Sequence, residues 1–122
     1  MDDFLPVIEC FVYYDGPIFF LTRRQSTQSI AMLINNVTVM VGSHCVEADF
    51  TYLVTPITNK NLSDMKKNKI SLYDVTKAAH TSYVVTWDRH NGWSDHSFIL
   101  GKDIPDEWLA TKGVMLDYEH AD

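Results

Sequence analysis

The dipeptide Asn91-Gly92 constrains this chain most, because it separates two runs of strand-forming residues, 83–90 and 93–100. Asn and Gly tolerate the positive φ that a two-residue hairpin turn requires. Asp15-Gly16 gives a second such signal, between 8–14 (I-E-C-F-V-Y-Y) and 18–22 (I-F-F-L-T). Pairing across it sets Tyr13 opposite Ile18, Val12 opposite Phe19 and Phe11 opposite Phe20. Asn35-Asn36, between 30–34 and 37–41, predicts a third hairpin. Residues 23–28 are polar and read as loop. Residues 42–49 fit either a loop or an irregular strand, and 50–55 (F-T-Y-L-V-T) form a clear strand stopped by Pro56.

Two short helices interrupt this pattern. Asn61 can cap one over 62–68, burying Leu62 and Met65, and Ser71-x-x-Asp74 has the form of a capping box for another reaching Ala79. Neither is long enough to persist alone, so both must pack on the sheet. Pro105 opens a further helical turn ending near Leu109, 114–116 read as a last short strand, and 117–122 form an acidic tail. The expected fold class is α+β: an antiparallel β-sheet of about six or seven strands, a meander of hairpins, with two short helices packed on one face. The 122 residues suit one globular domain spanning 1–122.

Composition narrows the function. At 46% hydrophobic residues the chain is too apolar for a disordered tail, and a net charge of −6 argues against a broad basic face for nucleic acid or anionic membrane. No apolar run nears the roughly 18 residues of a membrane span, and Met1-Asp2-Asp3 is acidic where a signal peptide is basic. The expectation is a cytoplasmic protein. Cys10 and Cys45 are expected as buried, reduced thiols, with a disulfide between them as the alternative. No phosphate-cradling glycine loop, nucleophile elbow or metal-ligand spacing occurs, so no cofactor is expected and binding is favoured over catalysis. His44 beside Cys45 does not make a nucleophile pair, because adjacent strand residues point to opposite faces.

One dense polar-aromatic cluster stands out, Trp87-Asp88-Arg89-His90-Asn91-Gly92-Trp93-Ser94-Asp95-His96. A two-residue turn would set Trp87 against His96, Arg89 against Ser94, His90 against Trp93 and Asp88 against Asp95. Two opposed carboxylates repel and need a cation or solvent to offset them. A three-residue loop ending in Gly92 would pair Asp88 with Ser94 instead. The cluster reads in three ways. It is a wet hairpin tip with Trp87 in the core, or a binding surface, or a weak metal or acid-base site of Asp88, Asp95 and His90, with His96 as a further member. The ligand-binding candidates are Trp87, Arg89, His90, Trp93 and His96, with Tyr14 from the first hairpin.

Lys60, Lys66, Lys67, Lys69 and Lys77 read as the solvated face of the helices or, with Arg23 and Arg24, as a patch for an anionic ligand. The aromatics Phe11, Tyr13, Tyr14, Phe19 and Phe20 exceed what one buried face requires. The strings Tyr14-Asp15-Gly16-Pro17, Tyr52-Leu53-Val54-Thr55-Pro56, Lys69-Ile70-Ser71-Leu72-Tyr73-Asp74 and Ile104-Pro105-Asp106-Glu107-Trp108-Leu109 resemble a family of small bacterial and phage-encoded domains of uncharacterised function, with 37–49 as an insertion. That resemblance implies one compact domain in a bacterial or phage setting and carries over no catalytic residue.

Three functions fit these observations. The first is a non-enzymatic binding protein, in its sharpest form a phage-type inhibitor that captures a small anionic, nucleotide-like signal, aromatics stacking the base and Arg89 or the helix lysines holding phosphates. The second is an inhibitor that binds a host protein through an acidic face including Asp103, Asp106, Glu107, Asp117, Glu119 and Asp122. The third is a metal-assisted hydrolase built on Asp88, Asp95 and His90. Open sheet edges and surplus aromatics add the expectation of a homodimer.

Overall fold

The structure, a computed structural model, describes residues 6–13, 17–34, 39–41, 43–46, 48–90 and 92–116. Six strands form one antiparallel sheet: β1 (Glu9–Tyr13), β2 (Pro17–Arg24), β3 (Thr27–Leu33), β6 (Phe50–Pro56), β7 (Thr81–Asp88) and β8 (Gly92–Leu100), in the spatial order β1-β2-β3-β6-β7-β8. Between β3 and β6 the chain forms a separate two-stranded arm of β4 (Val39–Val41) and β5 (His44–Val46). Between β6 and β7 lie α1 (Asn59–Lys66) and α2 (Leu72–Lys77). The expected α+β class, a meandering antiparallel sheet with two short helices, is the observed one. No helix among the described residues is long and apolar enough to cross a membrane.

Several local expectations are corrected. The segment read as loop at 23–28 is a tight hairpin: β2 and β3 pair through Arg24 and Thr27, with Gln25 and Ser26 both at positive φ (50° and 69°). Neither residue is Gly or Asn, so the turn carries no sequence signal and is strained. Changing Gln25 to Asn and Ser26 to Gly should raise stability by about 1 kcal/mol in urea denaturation, because this pair relieves that strain. The turn expected at Asn35-Asn36 lies outside the described residues, but the strands expected to flank it do not pair with each other: β3 lies between β2 and β6, while β4 pairs with β5. Residues 114–116 are not a strand, although the Val114 carbonyl accepts from the Leu72 amide.

The first helix begins earlier than expected. Thr58, not Asn61, is its N-cap, its hydroxyl accepting from the Asn61 amide at 3.1 Å. The second cap is as read, Ser71 Oγ accepting from the Asp74 amide at 3.1 Å. Both helices lie on one face of the sheet, where Phe19, Leu21 and Ile30 pack with Ile57, Met65 and Val75. Ile34, Leu53 and Ile104 extend this layer.

The other face is also buried. Phe20, Ala31, Tyr52, Val54 and Val85 share it at 0–4% exposure. This explains the surplus of aromatics in the first hairpin: Phe19 faces the helices, its neighbour Phe20 faces the other way, and Phe11 packs on Phe19 at 5.4 Å. In that hairpin Val12 faces Phe19 as expected. Tyr13 meets Pro17 rather than Ile18, and Cys10 rather than Phe11 meets Phe20. Cys10 is exposed, contrary to expectation, because β1 is an edge strand.

Candidate functional site

The sheet is strongly curled, with the helix-free face concave. Arg24 on β2 and Asp95 on β8 are four strand steps apart, about 19 Å in a flat sheet. An arginine and an aspartate side chain cannot bridge that distance, yet Arg24 Nε lies 2.9 Å from Asp95 Oδ2 and its Nη2 bonds the same oxygen. The Arg24 guanidinium also stacks 3.5 Å from the centroid of the Tyr83 ring. Arg24, Tyr83 and Asp95 thus latch one end of the concavity.

Aromatic rings line the other end. Phe50 and Trp87 lie 5.9 Å apart, Phe50 and Tyr52 6.4 Å, and Tyr52 and Trp93 5.6 Å. Trp87 and Trp93 are direct cross-strand partners. That register differs from both expected ones. Three residues, 89–91, connect the strands, Asp88 meets Gly92 at φ +70°, and Trp87 meets Trp93 rather than His96. Sliding by an odd number moves a strand's side chains to the opposite face. Here it puts Trp93 and Asp95 on the concave face, where one pairs with an indole and the other with Arg24. His96 is the unpaired bulge residue between Asp95 and Ser97, so it has no cross-strand partner. Beyond the bulge, Tyr83 meets Phe98.

Arg89 and His90 sit at the tip beside this aromatic end. The Arg89 amide donates to Asp49 Oδ2 at 2.9 Å and its Nε to the same oxygen at 3.3 Å. These contacts, the backbone N–H foremost, hold the Asp49 carboxyl below the usual carboxylate range. The His90 amide donates to Asp88 Oδ1 at 2.8 Å. Ala48, Asp49, Asp88, Arg89 and His90 enclose a cleft of about 440 Å³. Four of the six ligand candidates, Trp87, Arg89, His90 and Trp93, are therefore gathered at one end of the sheet. His96 is near in the chain as a bulge, and Tyr14 lies outside the described residues.

The structure does not assemble the acid pair. Asp95 faces Val85 and bonds Arg24, while Asp88 faces Gly92. Among the described residues no three His, Cys, Asp or Glu side chains form a group suited to a metal ion. The expected basic patch is divided. Arg24 lies on the concave face, Arg23 and the lysine-bearing helices on the other, and Lys60 and Lys66 pair with Asp64 at 2.7 Å and Glu9 at 2.6 Å.

Sequence reasoning missed Tyr83, Asp49 and the rings of Phe50 and Tyr52, which read as ordinary strand or loop residues. Arg24 was grouped with the helix lysines, and its pairing with Asp95 was hidden by the strained turn. Among the described residues, three buried side-chain polar atoms find no hydrogen-bond partner: Thr22 Oγ1, Trp87 Nε1 and Trp93 Nε1. All three belong to residues on the concave face. Burial pushes the Tyr52 hydroxyl up from 10.0 to about 12, with the charge of Cys10 adding to it. The neutral phenol is favoured in the fold. Its contribution should be whole below pH 10 and fall away as pH rises from about 10 to about 12. Denaturant titrations across that range should show the decline, and Tyr52→Phe should remove it.

Comparison with known protein families, curated proteins and solved structures finds no match to this chain.

Proposed function

We propose that this chain is a non-enzymatic binding protein that captures a small molecule bearing a flat ring with hydrogen-bond acceptors. The observation that carries this reading is the pair of cross-strand indoles, Trp87 and Trp93, whose buried N–H groups find no acceptor among the described residues. A buried donor left unmade costs about 1–3 kcal/mol, so a ligand supplying an acceptor there gains what the fold forgoes. The half-buried indoles and Phe50, backed by the buried Tyr52 ring, offer a stacking wall beside a cleft whose rim carries Arg89 and His90.

A nucleotide-like signal molecule suits this arrangement, its base on the indoles and its anionic part at the rim. Arg89, with a side chain 71% exposed, is the cation placed to meet that part, since the helix lysines lie on the opposite face. The resemblance of its short motifs to small bacterial and phage-encoded domains suggests a bacterial or phage setting, and capture of a host signal there would make the protein an inhibitor acting in the host cytoplasm. A homodimer joined at the β8 edge, where Phe98 is exposed, would set two such sites side by side.

Isothermal titration with a panel of mononucleotides, cyclic nucleotides and free nucleobases tests the reading. At least one should give saturable heat. Trp93→Ala should weaken it about tenfold or more, as expected for a lost base-aromatic stack worth about 1–3 kcal/mol. Absence of heat or thermal shift across the panel rejects the nucleotide class. Native mass spectrometry of the purified protein reads subunit number and any retained ligand mass together.

A further inference from the structure

On the helix-bearing side, away from the site above, a groove of about 390 Å³ runs between the sheet and the 3-10 turn Asp106–Trp108. Val12, Phe19, Met32, Leu72 and Trp108 are among its walls, and among the described residues Glu107 is the one charged residue that lines it. The apolar surface continues beyond the groove. Val12 on β1 is 44% exposed, and Val114, whose carbonyl bonds the Leu72 amide, is 44% exposed with Met115 beside it at 40%. Aromatic residues and methionine on an apolar patch, with charge kept to its margin, are the composition of a protein-contact surface.

We propose that this groove docks a short apolar segment of another protein carrying a lysine or arginine that meets Glu107. Three observations select this occupant. The groove has room for a few aliphatic side chains but not for a whole helix. The exposed shoulder of Val12, Val114 and Met115 extends the contact beyond what a small amphiphile covers. The charge at the margin is acidic: Glu107 is exposed, with Asp103 and Asp106 beside it, while Lys112 is drawn to the Tyr73 ring at 5.3 Å. A second copy is disfavoured, because a twofold contact through this groove would bring two Glu107 carboxylates, on chains of net charge −6, into one interface with no cation lining it among the described residues. Apolar side chains enter the groove, the cation caps it, and the acidic margin rejects acidic competitors.

Selection of a displayed random-peptide library on the full-length protein tests this. Enriched sequences should combine two or three large apolar residues with a lysine or arginine. A synthetic peptide of the enriched consensus should lose about tenfold or more in affinity for Glu107→Lys, the loss of a paired charge at a desolvated contact. Reselection on that variant should enrich Asp or Glu in place of the cation. Ala110→Arg, which fills the groove from its margin, should abolish binding while circular dichroism stays unchanged. The proposal is overturned by a library that yields no basic-apolar consensus, or by a consensus peptide indifferent to both substitutions. It is overturned as well by sedimentation showing self-association that Ala110→Arg removes, which would make a second copy the occupant.

Discussion

Replacing Arg24 by alanine is expected to destabilise the protein by about 2–3 kcal/mol, well above the usual value of a surface ion pair. The pair is sheltered, with side chains 14% and 24% exposed, and both Nε and Nη2 of Arg24 serve one carboxylate oxygen. Removing the guanidinium uncovers the Tyr83 ring and leaves the Asp95 carboxylate on the concave face without its partner. Asp95→Asn keeps the shape and removes the charge, so the double variant Arg24→Ala, Asp95→Asn should recover about 1–2 kcal/mol of the sum of the single losses. Urea denaturation of the four proteins gives the coupling directly. A coupling near zero would mean that apolar packing alone, through Phe20, Tyr52 and Val85, sets the curl of the sheet. Because the latch shapes the concavity, Arg24→Ala should also weaken any ligand seated on Trp87 and Trp93.

Gly101→Ala is expected to cost about 3 kcal/mol, at the upper end of overpacking penalties. Gly101 is buried where β8 ends, and its amide donates to the His80 carbonyl at 2.8 Å. A Cβ there would collide with the Ala79 carbonyl oxygen and crowd that of Lys77 at 3.3 Å. Both obstacles are backbone atoms, so no side-chain rotation relieves them. The strand end must move away from the segment following α2, loosening Ile104 in the core beyond it. The neighbouring exposed Lys102→Ala is the control and should change stability by no more than about 0.5 kcal/mol. A thermal melt of the two variants side by side separates steric collision from a general sensitivity of this turn.

Local chemistry was legible in the sequence, and long-range geometry was not. Ser71 reads as a cap because its hydroxyl acts within three residues, and 50–55 reads as a strand because its residue types suit a pleated, buried surface. The Gln25-Ser26 turn escaped because neither side chain advertises positive φ. The β7–β8 register escaped for a different reason. Asn91-Gly92 fits a two-residue turn on local grounds, but burying two indoles together and delivering Asp95 to Arg24 favours the slid register with its bulge at His96. The adjacency of β3 and β6 also depends on what lies across the sheet. For the candidate site, the tryptophans and the tip residues were visible as a cluster. The curl that turns one face of the sheet into a concavity rests on Arg24 and Asp95, 71 positions apart, and no local pattern contains it.

The β4–β5 arm leaves the sheet after β3, and the chain returns directly beside β3 as β6. Topologically, everything between Leu33 and Phe50 is inserted into the connection of a single hairpin. Connections of two to five residues commonly join such strands. Because loop closure grows only slowly with length, a lineage can lengthen, trim or exchange this segment while the pairing of Ile30 with Thr55 and Met32 with Leu53 stays as it is. The fold therefore has a position where inheritance can experiment, separate from the six strands that must be kept.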